Sequence, residues 1–317
     1  MSDLFDVNLQ ILPEFGNQMF LPALKEIARL PLQQVSECPL CGHKHFEVIA
    51  RFAINDLILA WQTKLGFNPI ADVYQNKLLE KRRCLNCGLG FYNYHLSDCP
   101  ALYQQIEAKM PIYYPTFRSE YAIAAHLIEH FHPQKFLEIG AGRGDFLQLI
   151  KNKVPNVFAN DTNPAAVDYC QQKGITIYDC LLSEIKDKFD FICSFELFEH
   201  IADGKGFFEQ CLSHLEPTGY LLIATPNPDS ILKVIGNGIF NLPPHHQFDY
   251  SYQSFEYLAD LYHLKIIHYE ESVLSYRHYA KYVQQMIDKN LDESDIMEFD
   301  LARKHYSGVS HTIVFSR

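Results

Sequence analysis

The chain has 317 residues, of which 48% are hydrophobic and 21% are charged, a composition typical of a globular protein with a sizeable core. This length exceeds that of a typical single domain, so two units are expected. The 38 acidic residues against 27 lysines and arginines give a formal net charge of −11, which opposes a phosphate backbone and disfavours nucleic acid as a partner.

The beginning of the chain, MSDLFDVNLQ, lacks the basic and apolar regions of a secretory signal. No uninterrupted apolar run approaches the roughly 20 residues that span a bilayer, so a cytoplasmic protein without membrane association is expected. The chain contains nine cysteines, and four of them form two CxxC pairs. Without an export signal, this pattern favours metal binding over disulfide bonds.

Residues 1–110 are predicted to form a zinc-ribbon and helical domain. Prolines interrupt residues 1–35, where only a short helix near 21–30 is predicted. Each of the two CxxCG sequences that follow can direct two thiolates to one ion, with glycine allowing a tight turn. Four sulfurs suit a closed, structural zinc site, although iron would use similar ligands. The predicted ligands are Cys38, Cys41, Cys84 and Cys87.

The long stretch between the two cysteine pairs is predicted to contain a helix. Apolar residues recur at helical spacing over residues 54–65, where Asn55 or Asp56 is placed to cap the helix start. Three histidines near the cysteines in sequence could replace a cysteine ligand, but they are interpreted as surface residues or as residues that support the ligands. They are His43, His45 and His95.

Residues 136–146, FLEIGAGRGDF, predict a strand, a glycine turn and a helix. Glycines permit positive φ and leave space for a ligand to lie against the main chain. Asp161 ends the next apolar run, at about the distance expected for a ribose-binding acid in a doubly wound fold. The two features together predict a nucleotide-like cofactor. The GxGxG spacing and Glu138, just before the first glycine, suit a cationic ligand better than a pyrophosphate.

The strand-and-helix pattern then repeats, which predicts an α/β fold with a parallel sheet covered on both faces. The predicted strands lie near residues 157–160, 175–178, 189–193, 220–224, 265–269 and 311–315. The predicted helices lie near residues 121–131, 163–173, 206–215 and 252–262, with further helices in an insertion near 274–305.

Four motifs in this order resemble the class I S-adenosylmethionine-dependent methyltransferases. They are LEIGAGRGDF, ANDTNP at the second strand end, FDFICSFELFEHI at the fourth and LEPTGYLLIATPN at the fifth, and they cover roughly residues 121–272. The resemblance implies a Rossmann-like, seven-stranded methyltransferase sheet over residues 111–317, with the last strand antiparallel. It also implies S-adenosyl-L-methionine as the cofactor.

Ligands of such sheets lie beyond the carboxyl ends of the strands, so the residues that follow strands should converge on one edge. By resemblance, the glycine loop holds the methionine part of the cofactor, Asp161 accepts hydrogen bonds from the ribose hydroxyls, and residues 179–181 border the adenine. The predicted cofactor-binding residues are Glu138, Gly140, Ala141, Gly142, Gly144, Asp161, Thr162, Asp179, Cys180, Leu181, Ser194 and Phe195.

Methyl transfer to a hydroxyl or a carbon requires a base, and histidine is suited to this role near neutral pH. His200 follows the fourth strand of the predicted sheet. His245 and His246 belong to a PPHH sequence whose prolines fix a loop expected to cap the acceptor side. These three histidines are the candidate bases. The alternatives are that His200 orders the site wall and that the other two bond to local backbone.

The segment that contains Tyr113, Tyr114 and Arg118 crosses the cofactor mouth in the family, and an aromatic linker between domains is the alternative. The predicted activity is O- or C-methylation of a small molecule or sugar, including a nucleotide-linked sugar or glycan. The PPHH sequence and the following QFD do not match the base motif of the carbon-methylating sugar enzymes. The oligomeric state is left open.

Two other classes of function share parts of this sequence pattern. An NAD(P)-dependent oxidoreductase would use the same glycine loop and Asp161, but the GxGxG spacing and the downstream motifs count against it. A non-catalytic zinc-ribbon binding protein is disfavoured because the chain is acidic and has no basic stripe beside the cysteines.

Overall fold

A computed structural model describes residues 32–96, 100–110, 113, 116–235, 238–275, 278–280, 299, 302–303 and 306–317. The chain divides into two compact units, one of Met1–Pro115 with Gly236–Asp249 and the other of Thr116–Ile235 with Tyr250–Arg317. The predicted helix near 21–30, Tyr114 and most of the predicted insertion near 274–305 lie outside the described residues. Within the described ranges, no helix is both long and apolar enough to cross a membrane.

The first unit is built on a three-stranded antiparallel sheet. Its strands are β1 (Phe46–Ala53), β2 (Leu78–Cys84) and β3 (Gly90–Tyr92), in the order β1-β2-β3. The described helices of this unit are α1 (Ile54–Leu65) and α2 (Pro100–Lys109).

Helix α1 confirms the helix predicted over residues 54–65. Its apolar face is buried and includes Trp61, which has no exposed surface and lies 5.7 Å, ring to ring, from Phe240. The helix ends at Gly66, whose φ of 78° is left-handed and therefore suits glycine at this position. Burial of one stripe of the helix thus forms the core of this unit.

Residues 238–249, here called the return segment, belong to the first unit. Asp249 and Gly90 exchange backbone hydrogen bonds of 2.9 and 2.8 Å, and the Lys81 ammonium lies 2.6 Å from the Asp249 carboxylate. The Gln247 side chain donates to the carbonyl of Leu96 at 2.6 Å. The sequence analysis grouped this segment with residues 111–317, because contacts between residues so far apart leave no periodic signal in the sequence.

The second unit contains a seven-stranded mixed sheet, which confirms the predicted Rossmann-like fold class. The strand order is β6-β5-β4-β7-β8-β10-β9, and β10 runs antiparallel to both of its neighbours. The strands are β4 (Lys135–Ile139), β5 (Asn156–Asn160), β6 (Thr176–Tyr178), β7 (Phe189–Phe195), β8 (Leu215–Pro226), β9 (Lys265–Val273) and β10 (Ser307–Ser316).

The helices described in the second unit are α3 (Ser119–Phe131), α4 (Asp145–Ile150), α5 (Pro164–Gln172), α6 (Gly204–Ser213), α7 (Leu232–Ile235) and α8 (Tyr252–Leu261). Side chains cap the starts of some of them. Asn163 accepts a hydrogen bond from the amide of Ala165 at 3.1 Å, and Pro164 occupies the first turn of α5. Ser251 caps α8 through the amide of Ser254.

The order of the strands locates a crevice. Strand β4 pairs in parallel with β5 on one side and with β7 on the other, so the order in which the chain adds strands reverses between β4 and β7. The core beneath this point is aromatic, and the buried rings of Phe136 and Phe191 stack at 5.4 Å. In open α/β sheets, ligands bind at such a reversal, beyond the carboxyl ends of the strands.

Candidate functional site

The glycine loop joins β4 to α4 at the reversal. Gly140, Gly142 and Gly144 have φ values of 72°, 53° and 65°, in the left-handed region that side chains disfavour. A Cβ atom at Gly140 would also lie 2.8 Å from the Leu197 Cδ2 atom. The left-handed backbone therefore favours glycine at all three positions, as the sequence predicted for a loop that approaches a ligand closely.

Asn160, the last residue of β5, holds the loop and the end of β6 together. Its carbonyl accepts hydrogen bonds from the amides of Gly140 and Ala141 at 2.8 and 3.2 Å. Its buried side chain donates to the carbonyls of Tyr178 and Cys180 at 3.0 and 2.8 Å. The sequence analysis missed this residue, although a polar side chain at the end of an apolar run is a signal that could have found it.

Asp161 lies at the predicted edge and is bonded to the glycine loop. Its carboxylate accepts a hydrogen bond from the amide of Gly142 and another from the amide of Asn163, both at 2.9 Å. Burial raises the pKa of Asp161, and the amide bonds partly offset the rise. Because an ionised carboxylate offers about four acceptor positions, Asp161 retains capacity for donors from a ligand.

On the paired strands β4 and β7, two buried side-chain polar atoms have no hydrogen-bond partner among the described residues. They are Oε2 of Glu138, a residue 2% exposed, and Oγ of Ser194, on the neighbouring strand β7. Burial, reinforced by the charges of Asp161 and Asp145, raises the pKa of Glu138 well above its ordinary value. Orphaned buried polar atoms are rare, and these two lie where a ligand with hydrogen-bond donors is expected.

The remaining predicted cofactor residues differ in exposure. Thr162 and Asp179 are exposed, and so is Leu181, at 63%. Phe195 instead packs in the core, 4.8 Å ring to ring from Phe146. Its side chain therefore contributes packing, and only its backbone lies at the strand end.

Glu196 follows β7 directly and was not among the predicted site residues. Its φ of 50° is in the left-handed region, which is uncommon for a residue other than glycine. Oε1 has no hydrogen-bond partner within the described ranges, and Oε2 lies 3.9 Å from the Arg118 guanidinium. Burial raises the pKa of Glu196 to about 8, against the opposing effect of Arg118. Glu196 is thus distinguished by its left-handed backbone and by a carboxyl oxygen without a hydrogen-bond partner among the described residues.

His200 lies in the short 3₁₀ turn Phe198–His200 that follows. Its side chain is 9% exposed, and Nε2 lies 3.6 Å from the Glu199 carboxylate, which is 1% exposed. A carboxylate at this distance would stabilise a protonated imidazole. The geometry is compatible with a proton-accepting role for His200.

His245 and His246 lie in the return segment, within the first unit. His245 Nδ1 is 2.6 Å from the carbonyl of Phe240, and Nε2 is 2.5 Å from the Tyr113 hydroxyl. Because a carbonyl only accepts, Nδ1 carries the proton and Nε2 accepts from Tyr113 in the neutral ring. The His246 ring stacks on His245 at 4.7 Å. The structure thus shows His245 bonded inside the first unit, and its catalytic role remains a prediction.

The four predicted metal ligands come together in the first unit. The Sγ atoms of Cys38 and Cys87 are 3.5 Å apart, as are those of Cys41 and Cys84, and all four lie within 4.8 Å of one another. Zinc–sulfur bonds of about 2.3 Å in a tetrahedron place sulfurs about 3.8 Å apart, so the cluster fits zinc.

Two equivalent turns present these sulfurs. The amide of Gly42 donates to the carbonyl of Cys38 at 2.8 Å, and the amide of Gly88 donates to that of Cys84 at 3.0 Å. Both glycines have a left-handed backbone conformation, with φ values of 71° for Gly42 and 70° for Gly88. A hydrogen bond from Cys87 lowers the pKa of Cys38 to about 6, whereas burial raises the pKa of Cys84 to about 11.

The three histidines near the cysteines in sequence are not among the clustered ligands. His45 is exposed and His43 is partly exposed, and their ring nitrogens lie 3.2 Å from each other. His95 is not one of the four clustered ligands, and burial lowers its pKa. The cluster is therefore a set of four cysteines.

Comparison with known proteins places these features in a family. A family model described as a methyltransferase domain matches residues 114–289, more than half of the chain. The chain belongs to this methyltransferase family, which confirms the resemblance to S-adenosylmethionine-dependent methyltransferases.

Curated relatives match a shorter stretch. The chain is 29% identical over 118 residues to a ubiquinone biosynthesis O-methyltransferase of Parvibaculum lavamentivorans, covering 34% of this chain and 47% of that protein. A protein of the same name from Chelativorans sp. is also 29% identical over 118 residues, covering 34% and 46%. The chain thus spans about half the length of the curated relatives that it matches.

Solved structures are similar at lower identity. A SAM dependent methyltransferase from Archaeoglobus fulgidus is 20% identical with a TM-score of 0.44, covering 68% of this chain and 99% of that one. An S-adenosylmethionine-dependent methyltransferase from Clostridium acetobutylicum is 15% identical with a TM-score of 0.44, covering 69% and 99%.

Proposed function

We propose that the protein transfers a methyl group from S-adenosyl-L-methionine to a hydroxyl oxygen of a small molecule. The observation that carries this proposal is the glycine loop at the β4–β7 reversal, bonded to Asp161 in a chain of the methyltransferase family. The names of the curated relatives support oxygen as the methylated atom. A sugar hydroxyl, on a nucleotide-linked sugar or a glycan, is included in this acceptor class.

The residues at the sheet edge fit this cofactor in charge as well as in shape. The cofactor carries a positively charged sulfur, whose methyl group is electrophilic, and a methionine ammonium. Glu138 and Asp161 supply carboxyl groups on either side of the loop, and Glu138 Oε2 is without a partner among the described residues. A cation bound there favours the ionised form of both carboxyls and offsets the cost of their burial.

In the proposed reaction, an oxygen–carbon bond forms as the carbon–sulfur bond breaks, and the hydroxyl proton passes to a base. The chain positions the reactants in line, which supplies much of the acceleration. We propose His200 as the base, because its imidazole faces the buried Glu199 carboxylate that would stabilise the protonated ring. His245 and His246 remain alternative candidates for this role.

The four-cysteine cluster is proposed to hold a structural zinc ion. A site closed by four thiolates has no open position for catalysis, so the ion would stabilise the fold of the first unit. The conformations of Gly42 and Gly88 and the short distances between the sulfurs support this assignment.

The proposed function is tested first by calorimetric titration with S-adenosylhomocysteine, run beside oxidised and reduced nicotinamide cofactors. Micromolar binding of S-adenosylhomocysteine alone is expected. Heat from a dinucleotide and none from S-adenosylhomocysteine would contradict the proposal and favour the oxidoreductase.

The acceptor is tested by incubating the protein with isotopically labelled S-adenosylmethionine and two panels of acceptors, one of catechols and one of nucleotide-linked sugars. Mass spectrometry locates the added methyl group. A methyl group found only on carbon would contradict the assignment to oxygen.

A further inference from the structure

We propose that Lys173 is a positioning residue for the cofactor loop and sets the affinity for the amino-acid part of the cofactor. This inference rests on the proposed function. The Lys173 ammonium donates to the carbonyl of Arg143 and to the carboxylate of Asp145, both at 2.6 Å. These two acceptors flank Gly144, so one side chain bonds to the loop on both sides of this glycine.

The backbone of residues 142–144 has little intrinsic conformational preference, because it is rich in glycine. Gly142 and Gly144 lie on either side of Arg143, and both are left-handed in the structure. Glycine loses more conformational freedom on ordering than any other residue. The loop has an internal bond from the amide of Gly144 to the carbonyl of Ala141, and it is also held by contacts with other parts of the chain.

Two side chains supply such contacts to residues 142 and 143. Asp161 accepts from the amide of Gly142 at 2.9 Å, and Lys173 donates to the carbonyl of Arg143, the next residue. Asp161 thus bonds to a backbone donor of the loop, and Lys173 bonds to a backbone acceptor. Asp161 was among the predicted cofactor-binding residues, whereas Lys173 was not.

Lys173 is itself held in place. It is the C-cap of α5, its amide bonds to the carbonyls of Tyr169 and Cys170, and its own carbonyl accepts from the Gln148 side chain at 3.1 Å. A left-handed Gly174, with φ of 70°, ends the helix directly afterwards. The side chain of Lys173 is 30% exposed and that of Asp145 is 20% exposed, so the pair is shielded from much of the solvent.

The same end of α5 contacts the loop through two further side chains. The guanidinium of Arg143 lies 5.2 Å from the centre of the Tyr169 ring, and the Cys170 thiol lies 3.7 Å from the carbonyl of Gly142. Tyr169 and Lys173 are four residues apart and so share one face of the helix. The end of α5 is therefore the surface against which residues 142–145 are ordered.

Removing the Lys173 ammonium should leave the loop to be ordered at the moment of binding, which lowers affinity. By the family resemblance, this loop faces the methionine part of the cofactor, whereas Asp161 faces the ribose. S-adenosylhomocysteine carries one ammonium and one carboxylate there and has no net charge. Loss of the lysine charge therefore has little direct electrostatic effect on this ligand, and the change in affinity reports positioning.

The test compares Lys173→Met, Lys173→Arg and the control Lys153→Met by calorimetry with S-adenosylhomocysteine and with 5′-methylthioadenosine, which lacks the amino acid. Lys153 is a suitable control because its ion pair with Glu129 is more exposed and joins two residues outside the loop. We expect Lys173→Met to weaken S-adenosylhomocysteine about tenfold and 5′-methylthioadenosine less than about twofold. Lys173→Arg should restore most of the affinity, and Lys153→Met should change neither.

Equal affinity of Lys173→Met and the unaltered protein for S-adenosylhomocysteine would overturn the proposal. Equal losses for both ligands, with a large fall in Tm, would overturn it in favour of a purely structural role. Hydrogen exchange provides a readout that needs no ligand, since the amides of residues 142–145 should exchange faster in Lys173→Met than in Lys153→Met. If the unaltered protein binds no S-adenosylhomocysteine but this exchange difference is found, the proposed function is wrong. The ordering of residues 142–145 by Lys173 is then still supported.

Discussion

At the scale of single residues, the carboxyl groups at the strand ends combine structural and binding roles. Asp161 bonds to the amides of Gly142 and Asn163 while lying where the ribose is expected. Glu138 is buried on the strand that leads into the loop. A change at Asp161 therefore affects the shape of the loop and the contacts to the cofactor together, and the two effects must be separated by experiment.

Asp161→Ala should weaken S-adenosylhomocysteine binding by about 1 to 3 kcal/mol, because charge-assisted hydrogen bonds to the ribose and to the loop are lost together. Calorimetry measures this loss. Asp161→Asn is the matched control, since it keeps the size of the side chain and removes the charge. An unchanged affinity in Asp161→Ala would remove this residue from the site.

Glu196 should make stability depend on pH. Its pKa is raised to about 8 in the folded chain from the ordinary value of 4.5, so the folded state holds this proton over a range where the unfolded state has lost it. The resulting stabilisation is present below the unfolded pKa and is lost as the pH rises through the folded value. Urea unfolding should therefore show the free energy of unfolding falling between these two pH values.

In Glu196→Gln, this fall should be smaller. It should not vanish, because the raised pKa values of Glu138 and Asp161 act in the same direction. Parallel pH profiles for the variant and the unaltered chain would show that Glu196 titrates normally.

At the scale of elements, the return segment completes the first unit. Its backbone pairs with Gly90, the first residue of β3, and Asp249 forms an ion pair with Lys81 that is largely buried, with side-chain exposures of 8% for Lys81 and 13% for Asp249. A Cβ atom at Gly90 would lie 2.8 Å from the Cβ atom of Asp249, so the close pairing depends on that glycine. The first unit is thus assembled from two separate parts of the chain.

Asp249→Ala should destabilise the protein by about 3 kcal/mol, because it leaves the Lys81 ammonium buried without its partner. Guanidinium unfolding followed by tryptophan fluorescence measures this loss of stability, since Trp61 is the one tryptophan and lies in the core of the same unit.

Arg51→Met is the matched control for Asp249→Ala. It removes a more exposed pair, with side-chain exposures of 56% and 22% for Arg51 and Glu80, and should cost less than about 1 kcal/mol. Equal effects of the two changes would contradict the importance of the buried pair.

Cys87→Ser should release the metal and destabilise the first unit while the affinity for S-adenosylhomocysteine is retained, because the predicted cofactor residues lie in the other unit. Metal content by plasma mass spectrometry and a calorimetric titration provide the two readouts. Cys211→Ser, a change at a buried cysteine outside the cluster, should keep the metal. Stoichiometric metal in Cys87→Ser would show that the four-cysteine assignment is wrong.

At the scale of the whole molecule, the sequence determined the features that are written in contiguous stretches. The glycine loop, Asp161 at the end of the next apolar run and the alternation of strands and helices were predicted, and so was the family. The two CxxCG sequences were enough to predict a cluster of four cysteines. These features depend on local backbone preferences and on side-chain periodicity, which are present in any window of the sequence.

Only the tertiary structure decided the features that join distant parts of the chain. These are the pairing of Asp249 with Gly90, the two bonds from the Asn160 side chain to the end of β6, and the contact of Lys173 with the glycine loop. A sequence shows that a lysine or an asparagine is present and gives no distance to its partner. The partner is set by packing of the whole unit, because the orientation of each helix and strand is fixed by burial of its apolar face against the others.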